Sequence, residues 1–336
     1  PGPTQISKIV QQSYAKTFLS SDIEQDYFEL HGRTQALLNK LIVAPDNAVS
    51  VIMSGEGMVG LWGSLKSVIV PQSTKVLSLA NGVFGEAIAR MSKVCGAKEV
   101  EIVKSEWTQG FDYRDKSSSA YQELWKTFDT FKPDLVTVVH CETPSGVINL
   151  GLESIGDLCE TFNALFMVDY VSSVFAVPLD CTRSKIDLGV GASQKVLGSL
   201  PDLAFVLVSE KAWKVIDQVD YHGYDALKPW KRCVEAQYFP YTQNWHALDA
   251  LYTSLKQIEK IGLQQVQKNH ALSAKMFREA LKEQLKLKMY PSNEVFSSPT
   301  VSAFYLPEKW TWKAFDEACR KQMLILTTSY GPLKEK

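Results

Sequence analysis

Short apolar runs recur along the first two thirds of this 336-residue chain, and none of them alternates with polar residues. They occupy 49–53, 75–80, 135–140, 164–169, 188–192 and 203–209, and are rich in Val, Ile, Leu or Phe. A strand with one wet face alternates; a strand covered on both faces does not. Helical patterns at 58–70, 85–95, 120–131 and 152–162 fit between the runs. That succession is the grammar of an α/β protein, an open parallel sheet clad in helices.

From about His246 the pattern changes. Leu248, Leu251, Leu255 and Ile258 recur at helical spacing, and a second helix is predicted over 263–285. Two β-like pieces, 301–306 and 323–327, flank a helix at 311–322. The chain therefore divides into a large domain, 1–255, and a smaller C-terminal α+β domain, 256–336, for which its length suffices.

Composition excludes several classes. Thirty-six basic and 37 acidic residues give a formal net charge of -1, which offers no footprint for nucleic acid or an anionic membrane. No apolar run approaches the roughly 20 residues that span a bilayer. The cysteines (Cys95, Cys141, Cys159, Cys181, Cys233, Cys319) are scattered without CxxC spacing, so neither a metal site nor a disulfide framework is expected. Reduced thiols suit an intracellular, cytoplasmic setting. The chain starts at Pro1 without Met and stops at Lys336 soon after a strand-like run, so both ends read as incomplete and organelle targeting stays open.

In open α/β sheets, ligands bind where strands end. After the third run comes His140-Cys141-Glu142-Thr143-Pro144-Ser145-Gly146. The fourth ends in Asp169-Tyr170-Val171-Ser172-Ser173, and the fifth in Gly191-Ala192-Ser193-Gln194-Lys195. Singly, each has a plain reading. An Asp at a strand end is usually a turn or cap residue; a Lys in a Ser/Gly loop is usually solvated; His140 alone could be structural. Together they are restrictive: an Asp in V-D-x-V-S-S, with the Lys of G-A-S-Q-K 26 residues later.

These motifs, with N-G-V-F-G at 81–85, resemble those of the class V, fold-type-I aminotransferases, near their alanine–glyoxylate and serine–pyruvate members. The resemblance runs from Pro1 to Pro332. G-E-G at 55–57 and F-P-Y-T at 239–242 are similar to pyridoxamine–pyruvate aminotransferase. The resemblance implies a mostly parallel seven-stranded sheet and a pyridoxal 5'-phosphate cofactor. Lys195 would form its Schiff base and move a proton at the substrate carbon, a task that needs a lowered amine pKa. Asp169 would keep the pyridine nitrogen protonated, so that the ring acts as an electron sink. Phe84 would cover one ring face and Val171 the other, with Thr143 and Gln194 beside the ring hydroxyl. Gly55, Glu56, Gly57 and Met58 would line the phosphate cup. Phe239 and Thr242 belong to a segment that reaches a neighbour's site, implying a homodimer with shared sites. The implied reaction moves an amino group from a small amino donor to glyoxylate or pyruvate.

Two other classes compete. A lyase or desulfurase on the same scaffold would want a persulfide-carrying cysteine on a mobile loop, and no cysteine has that setting. An inactive binding protein would have no chemical need for both Lys195 and Asp169. The family's substrate-carboxylate Arg is expected beyond Lys336.

Glu56 departs from the resembled pattern, which has a serine there. A helix start is a natural anion cup, and a carboxylate in it repels phosphate. Three outcomes stay open. Glu56 points away and only complements the helix dipole; or it is neutralised by a proton or a nearby cation; or the site takes unphosphorylated pyridoxal and pyridoxamine as substrates.

Overall fold

The apolar runs become strands of one seven-stranded sheet in the computed structural model, which describes residues 2–329 and Leu333. Positions 1 and 331–332, where the family resemblance begins and ends, lie outside the described residues. In chain order the strands are β1 (Val49–Ser54), β2 (Lys75–Ala80), β3 (Glu99–Lys104), β4 (Leu135–Val139), the short β5 (Cys141–Glu142) and β6 (Val147–Ile148), β7 (Leu165–Asp169), β8 (Leu188–Ala192) and β9 (Leu203–Val208). The large sheet has the order β1-β9-β8-β7-β4-β2-β3, while β5 and β6 form a separate hairpin. Pairing is parallel from β8 through β7, β4 and β2 to β3, and antiparallel on both sides of β9. Hence β9 alone among these seven runs backwards, and β1 again points the same way as β8. The loops after β1, β2, β4, β7 and β8 therefore emerge on one edge.

The central strands are buried along their whole length, which is why their sequences do not alternate. The unpredicted seventh strand, β3, explains itself by the same rule. It lies at the sheet's edge, partly exposed, and its Glu-Val-Glu-Ile-Val-Lys sequence carries the charges that keep edges from pairing with other chains.

The helices are α1 (Lys8–Tyr14), α2 (Gln25–Leu41), α3 (Gly57–Val68), α4 (Val83–Val94), α5 (Ser119–Phe131), α6 (Leu152–Thr161), α7 (Glu210–Ile216), α8 (Cys233–Ala236), α9 (Trp245–Ile261), α10 (Leu263–Glu283) and α11 (Trp312–Lys321). Several start where a polar side chain satisfies a free backbone N–H. Ser118 accepts from Tyr121 N at α5, Ser209 from Ala212 N at α7, and Asn244 from Ala247 N at α9. Helix α3 presses closely on the sheet: a Cβ at Gly60 would stand 2.8 Å from Val190 Cγ1 and 3.2 Å from Val206 Cγ2.

The long helix foreseen near His246 is α9, whose Leu248, Leu251, Leu255 and Ile258 are buried in the main core. Leu281, Leu287 and Met289 form a second, small cluster with Phe304. The β-like pieces at 301–306 and 323–327 are not strands. The first makes a single bridge, Met289 to Phe304, and the second has no ladder partner among the described residues. A β-propensity becomes a strand only where a neighbour takes up its backbone groups.

Gly189 on β8 faces the ring of the fully buried Tyr170; a Cβ there would lie 2.4 Å from Tyr170 Cε1 and 2.7 Å from its hydroxyl oxygen. Overpacking of this kind costs about 1–3 kcal/mol. Gly189→Ala is expected to lower the urea unfolding midpoint with the slope of the transition unchanged, and an unmoved midpoint would refute the close packing.

Candidate active site

Asp169 is the last residue of β7 and faces Val139 of β4 on one side and Val190 of β8 on the other. The chain continues from Val139 into His140 and from Val190 to Lys195 within five residues, so strand register alone carries three motifs to one place. Asp169 is 6% exposed. Its Oδ1 accepts from Val171 N at 2.9 Å. Burial pushes its pKa up to about 6, with the Glu56 carboxylate adding to the rise, while the Val171 N–H and the Lys195 ammonium oppose it.

Lys195 is half-buried, and its Nζ donates to the carbonyl of Gly2 at 3.2 Å. Burial lowers its pKa, against the pull of Glu56, Asp169 and Cys141. An amine so poised loses its proton more easily than a surface lysine. Lys195 and Asp169 thus lie within electrostatic reach of each other, and Glu56 acts on both.

The remaining predicted residues fall around this pair. Gly55 takes φ +126° in the β1–α3 turn, and its N–H donates to the Asp202 carbonyl at 2.7 Å. Glu56 precedes α3, and its Oε1 accepts from Met58 N at 3.1 Å. It therefore caps the helix and complements its dipole, as the first of the three readings of Glu56 expected. Gly57 lets this first turn sit on Val171; a Cβ there would be 2.8 Å from Val171 Cγ2. Phe84, in the first turn of α4, is half-buried. The Thr143 hydroxyl is hydrogen-bonded to that of Ser172. Gln194 is buried, and its Oε1 has no hydrogen-bond partner.

The segment 239–242 behaves differently. Phe239 is 8% exposed and packs in its own chain's aromatic cluster, with ring centroids 5.7 Å from Phe28, 5.5 Å from Tyr27 and 4.5 Å from His31. Its expected role as a cofactor contact is corrected, because the main core already takes its ring. Thr242 is exposed, with its hydroxyl donating to Asp22 Oδ2 at 2.9 Å.

Sequence reasoning assigned no role to several residues gathered here. Glu142 is fully buried, and its carboxylate accepts from Phe84 N at 3.1 Å and Gly85 N at 2.6 Å. Burial raises its pKa to about 7, with Asp169 and Glu86 adding to the rise and the two N–H groups opposing it. Its motif was visible, but its target, a helix 57 residues earlier, was not. The Thr300 hydroxyl donates to the Ser172 carbonyl at 2.7 Å, and the Cys141 thiol to Ser298 Oγ at 3.0 Å. No local signal could have joined 298–300 to 141–172. His140 is buried, with Nδ1 2.9 Å from Ser173 Oγ; burial pushes its pKa down to about 4, so its ring is neutral near pH 7. Thr143, Pro144, Gly2 and Pro3 form one wall of a cavity of about 770 Å³, and Tyr290, Thr300 and Trp312 stand among its other lining residues.

Residues 108–331, about two thirds of the chain, match the family described as Aminotransferase class-V. The chain belongs to that family. An uncharacterised aminotransferase of Methanocaldococcus jannaschii is 29% identical over 309 residues, which cover 91% of this chain and 76% of that protein. A pyridoxamine–pyruvate transaminase of Mesorhizobium japonicum is 29% identical over 294 residues, 83% of this chain and 69% of the relative. The crystal structure of an alanine–glyoxylate aminotransferase from Nostoc superposes with a TM-score of 0.89 at 23% identity, over 99% of this chain and 85% of that one. The fold is thus that of the fold-type-I aminotransferases, and the chain is an aminotransferase. Among the described residues no helix is long and apolar enough to cross a membrane.

Members of this class use a vitamin B6 ring, and the residues present fit one. The site offers a buried carboxylate for a ring nitrogen, an amine of lowered pKa, and an unpartnered buried amide oxygen on Gln194. A desulfurase's needs are not met: four cysteines are buried and the other two, Cys95 and Cys319, half-buried beside or within helices.

Because its pKa is raised above the ordinary carboxylate value of about 4, Asp169 binds its proton more tightly in the folded chain than in the unfolded one. The stability this provides is present below about pH 4 and is lost as pH rises through about 6. Without vitamer, Asp169→Asn is therefore expected to unfold at higher urea than wild type at pH 7, with the difference fading between pH 6 and pH 4. Equal midpoints at pH 7 would contradict the burial of an uncompensated charge.

Proposed function

We propose that this aminotransferase exchanges an amino group between an amino donor and a small 2-oxo acid such as pyruvate or glyoxylate. We infer further that the vitamin B6 ring enters the site without a phosphate, as free pyridoxamine or pyridoxal, and leaves as product. The observation that carries this is the Glu56 carboxylate seated on the N-terminus of α3, bonded to Met58 N at 3.1 Å. A phosphate would have to share that helix start with it. Two unit charges 4 Å apart repel by about 4 kcal/mol at an effective dielectric of 20, and a dianion meets about twice that. The hydroxymethyl group of the free vitamer instead brings a donor that a carboxylate welcomes. The Mesorhizobium relative is named for transamination between pyridoxamine and pyruvate, which supports the same reading.

When bound, the ring supplies a sink for electrons released at the substrate carbon. The chain's own groups do the rest. Asp169 holds a proton at the ring nitrogen, and its burial strengthens that pairing. Lys195 takes a proton from the carbon bearing nitrogen and returns it to the partner carbon, as its lowered pKa permits. Gln194 offers its free amide oxygen, and the Thr143–Ser172 hydroxyl pair orients the opposite side. Phe84 and Val171 would cover the two faces of the ring, and Thr242 lies on the surface that would face a second copy in a homodimer.

The test incubates the purified chain with pyridoxamine and pyruvate and measures pyridoxal and alanine formed in equal amounts. Lys195→Ala is expected to lose at least about a hundredfold in rate, as general acid–base groups are worth about 10²–10⁴. Glu56→Ser is expected to gain at least about a hundredfold in affinity for pyridoxal phosphate, because each 1.4 kcal/mol is about tenfold. Tight retention of pyridoxal phosphate by the wild type, with alanine–glyoxylate exchange and no turnover of free pyridoxamine, would overturn the phosphate-free reading in favour of the ordinary phosphorylated cofactor.

A further inference from the structure

Two of the backbone N–H groups that open α4 do not face solvent. They are bound by Glu142, a side chain from β5, 57 and 58 residues later in the sequence. The carboxylate grips both: Oε1 takes Gly85 N at 2.6 Å and Oε2 takes Phe84 N at 3.1 Å. The glycines of N-G-V-F-G exist in relation to this group. A Cβ at Gly82 would stand 2.5 Å from Glu142 Cδ and 2.7 Å from its Oε2. A Cβ at Gly85 would meet Ala80 Cα at 2.9 Å and Glu142 Oε1 at 3.3 Å. Gly82 has extended backbone, φ -178°, which any residue adopts, so the space for Glu142 is what its missing side chain supplies. Just before it, Asn81 is fixed from the same side. Asn149 Nδ2 donates to Asn81 Oδ1 at 2.9 Å and to the Val139 carbonyl at 2.7 Å. The turn carrying Phe84 is thus tied to the β4–β6 region as well as to its own helix, where Glu86 N donates to the Gly82 carbonyl at 3.1 Å.

We propose that Glu142 is a positioning residue: its carboxylate holds the main chain of Phe84 and so sets where that aromatic ring stands over the bound vitamer. It touches neither ring nor substrate in this role. A buried carboxylate is costly unless hydrogen-bonded, and helix starts are where an anion is best compensated. The partial positive charge of α4 stabilises Glu142, and Glu142 in return fixes the helix entry. The inference rests on the proposed binding of an unphosphorylated ring and adds to it the source of Phe84's placement.

The experiment uses the full chain and 4-deoxypyridoxine, a ring that cannot bond covalently to Lys195. Amide hydrogen exchange is followed first, without ligand. Glu142→Gln keeps the shape but gives one of the two N–H groups a donor instead of an acceptor. It is expected to speed exchange at Phe84 and Gly85 by about tenfold or more, the worth of one hydrogen bond to a charged group, leaving β7 and β8 protected. Binding by calorimetry then completes a double-mutant cycle. Glu142→Gln and Phe84→Ala should each weaken 4-deoxypyridoxine about tenfold, and the double variant no more than Phe84→Ala alone. Should Glu142→Gln not fold, Gly82→Ala, which displaces the carboxylate without removing it, is expected to give the same loss and the same non-additivity.

Unchanged exchange at Phe84 and Gly85, or losses that add in the double variant, would overturn the inference while leaving the site reading intact. Failure of the wild type to bind the ring at all would overturn the site reading and the inference together.

Discussion

The structure turns on a carboxylate that is almost wholly withdrawn from water. Asp169 closes the central strand of a parallel sheet with strands on both sides, so its charge has few means of relief: one backbone N–H, and an ammonium at a distance. Such a group is destabilising unless a cation comes to it. In the proposed reading a protonated heterocycle reaching toward Lys195 would supply the missing charge, and relief of the buried Asp169 charge would then favour its binding.

The same economy appears in the anionic side chains nearby. Glu56 and Glu142 both sit on helix starts, one at α3 and one at α4, and both accept backbone N–H groups. The consequences differ because the cups differ. At α3 the carboxylate comes from the residue just before the helix and caps its own helix start. At α4 it comes from a distant strand, and its effect falls on the aromatic residue at that helix start. With Asp169, three carboxylates crowd one sheet edge, and Lys195 is the cation on which Glu56 and Asp169 both act. An uncharged hydroxymethyl arm adds no repulsion to that field, whereas a phosphate would.

The far wall comes from the C-terminal third. Thr300 reaches the Ser172 carbonyl, Ser298 accepts the Cys141 thiol, and Ser172 in turn bonds Thr143. A line of hydroxyls thus joins the segment after α10 to the strand ends.

The sequence by itself determined the sheet and which motifs stand at its edge. Non-alternating runs marked six of the seven strands because burial on both faces removes the need for polar residues, and the motifs after them named Asp169, Lys195, Gln194 and Thr143. It could not place β3, whose charges disguise an edge strand, or deny strands to 301–306 and 323–327, since pairing depends on a neighbour and not on propensity. Nor could it decide between two fates for an aromatic residue. Phe239 lies in a motif yet fills the core, because Tyr27, Phe28 and His31 of the distant helix α2 converge on it. Only the tertiary structure showed that Glu142 holds the start of α4. That depends on where a carboxylate meets backbone N–H groups 57 and 58 residues earlier in the chain, and local pattern carries no record of that distance.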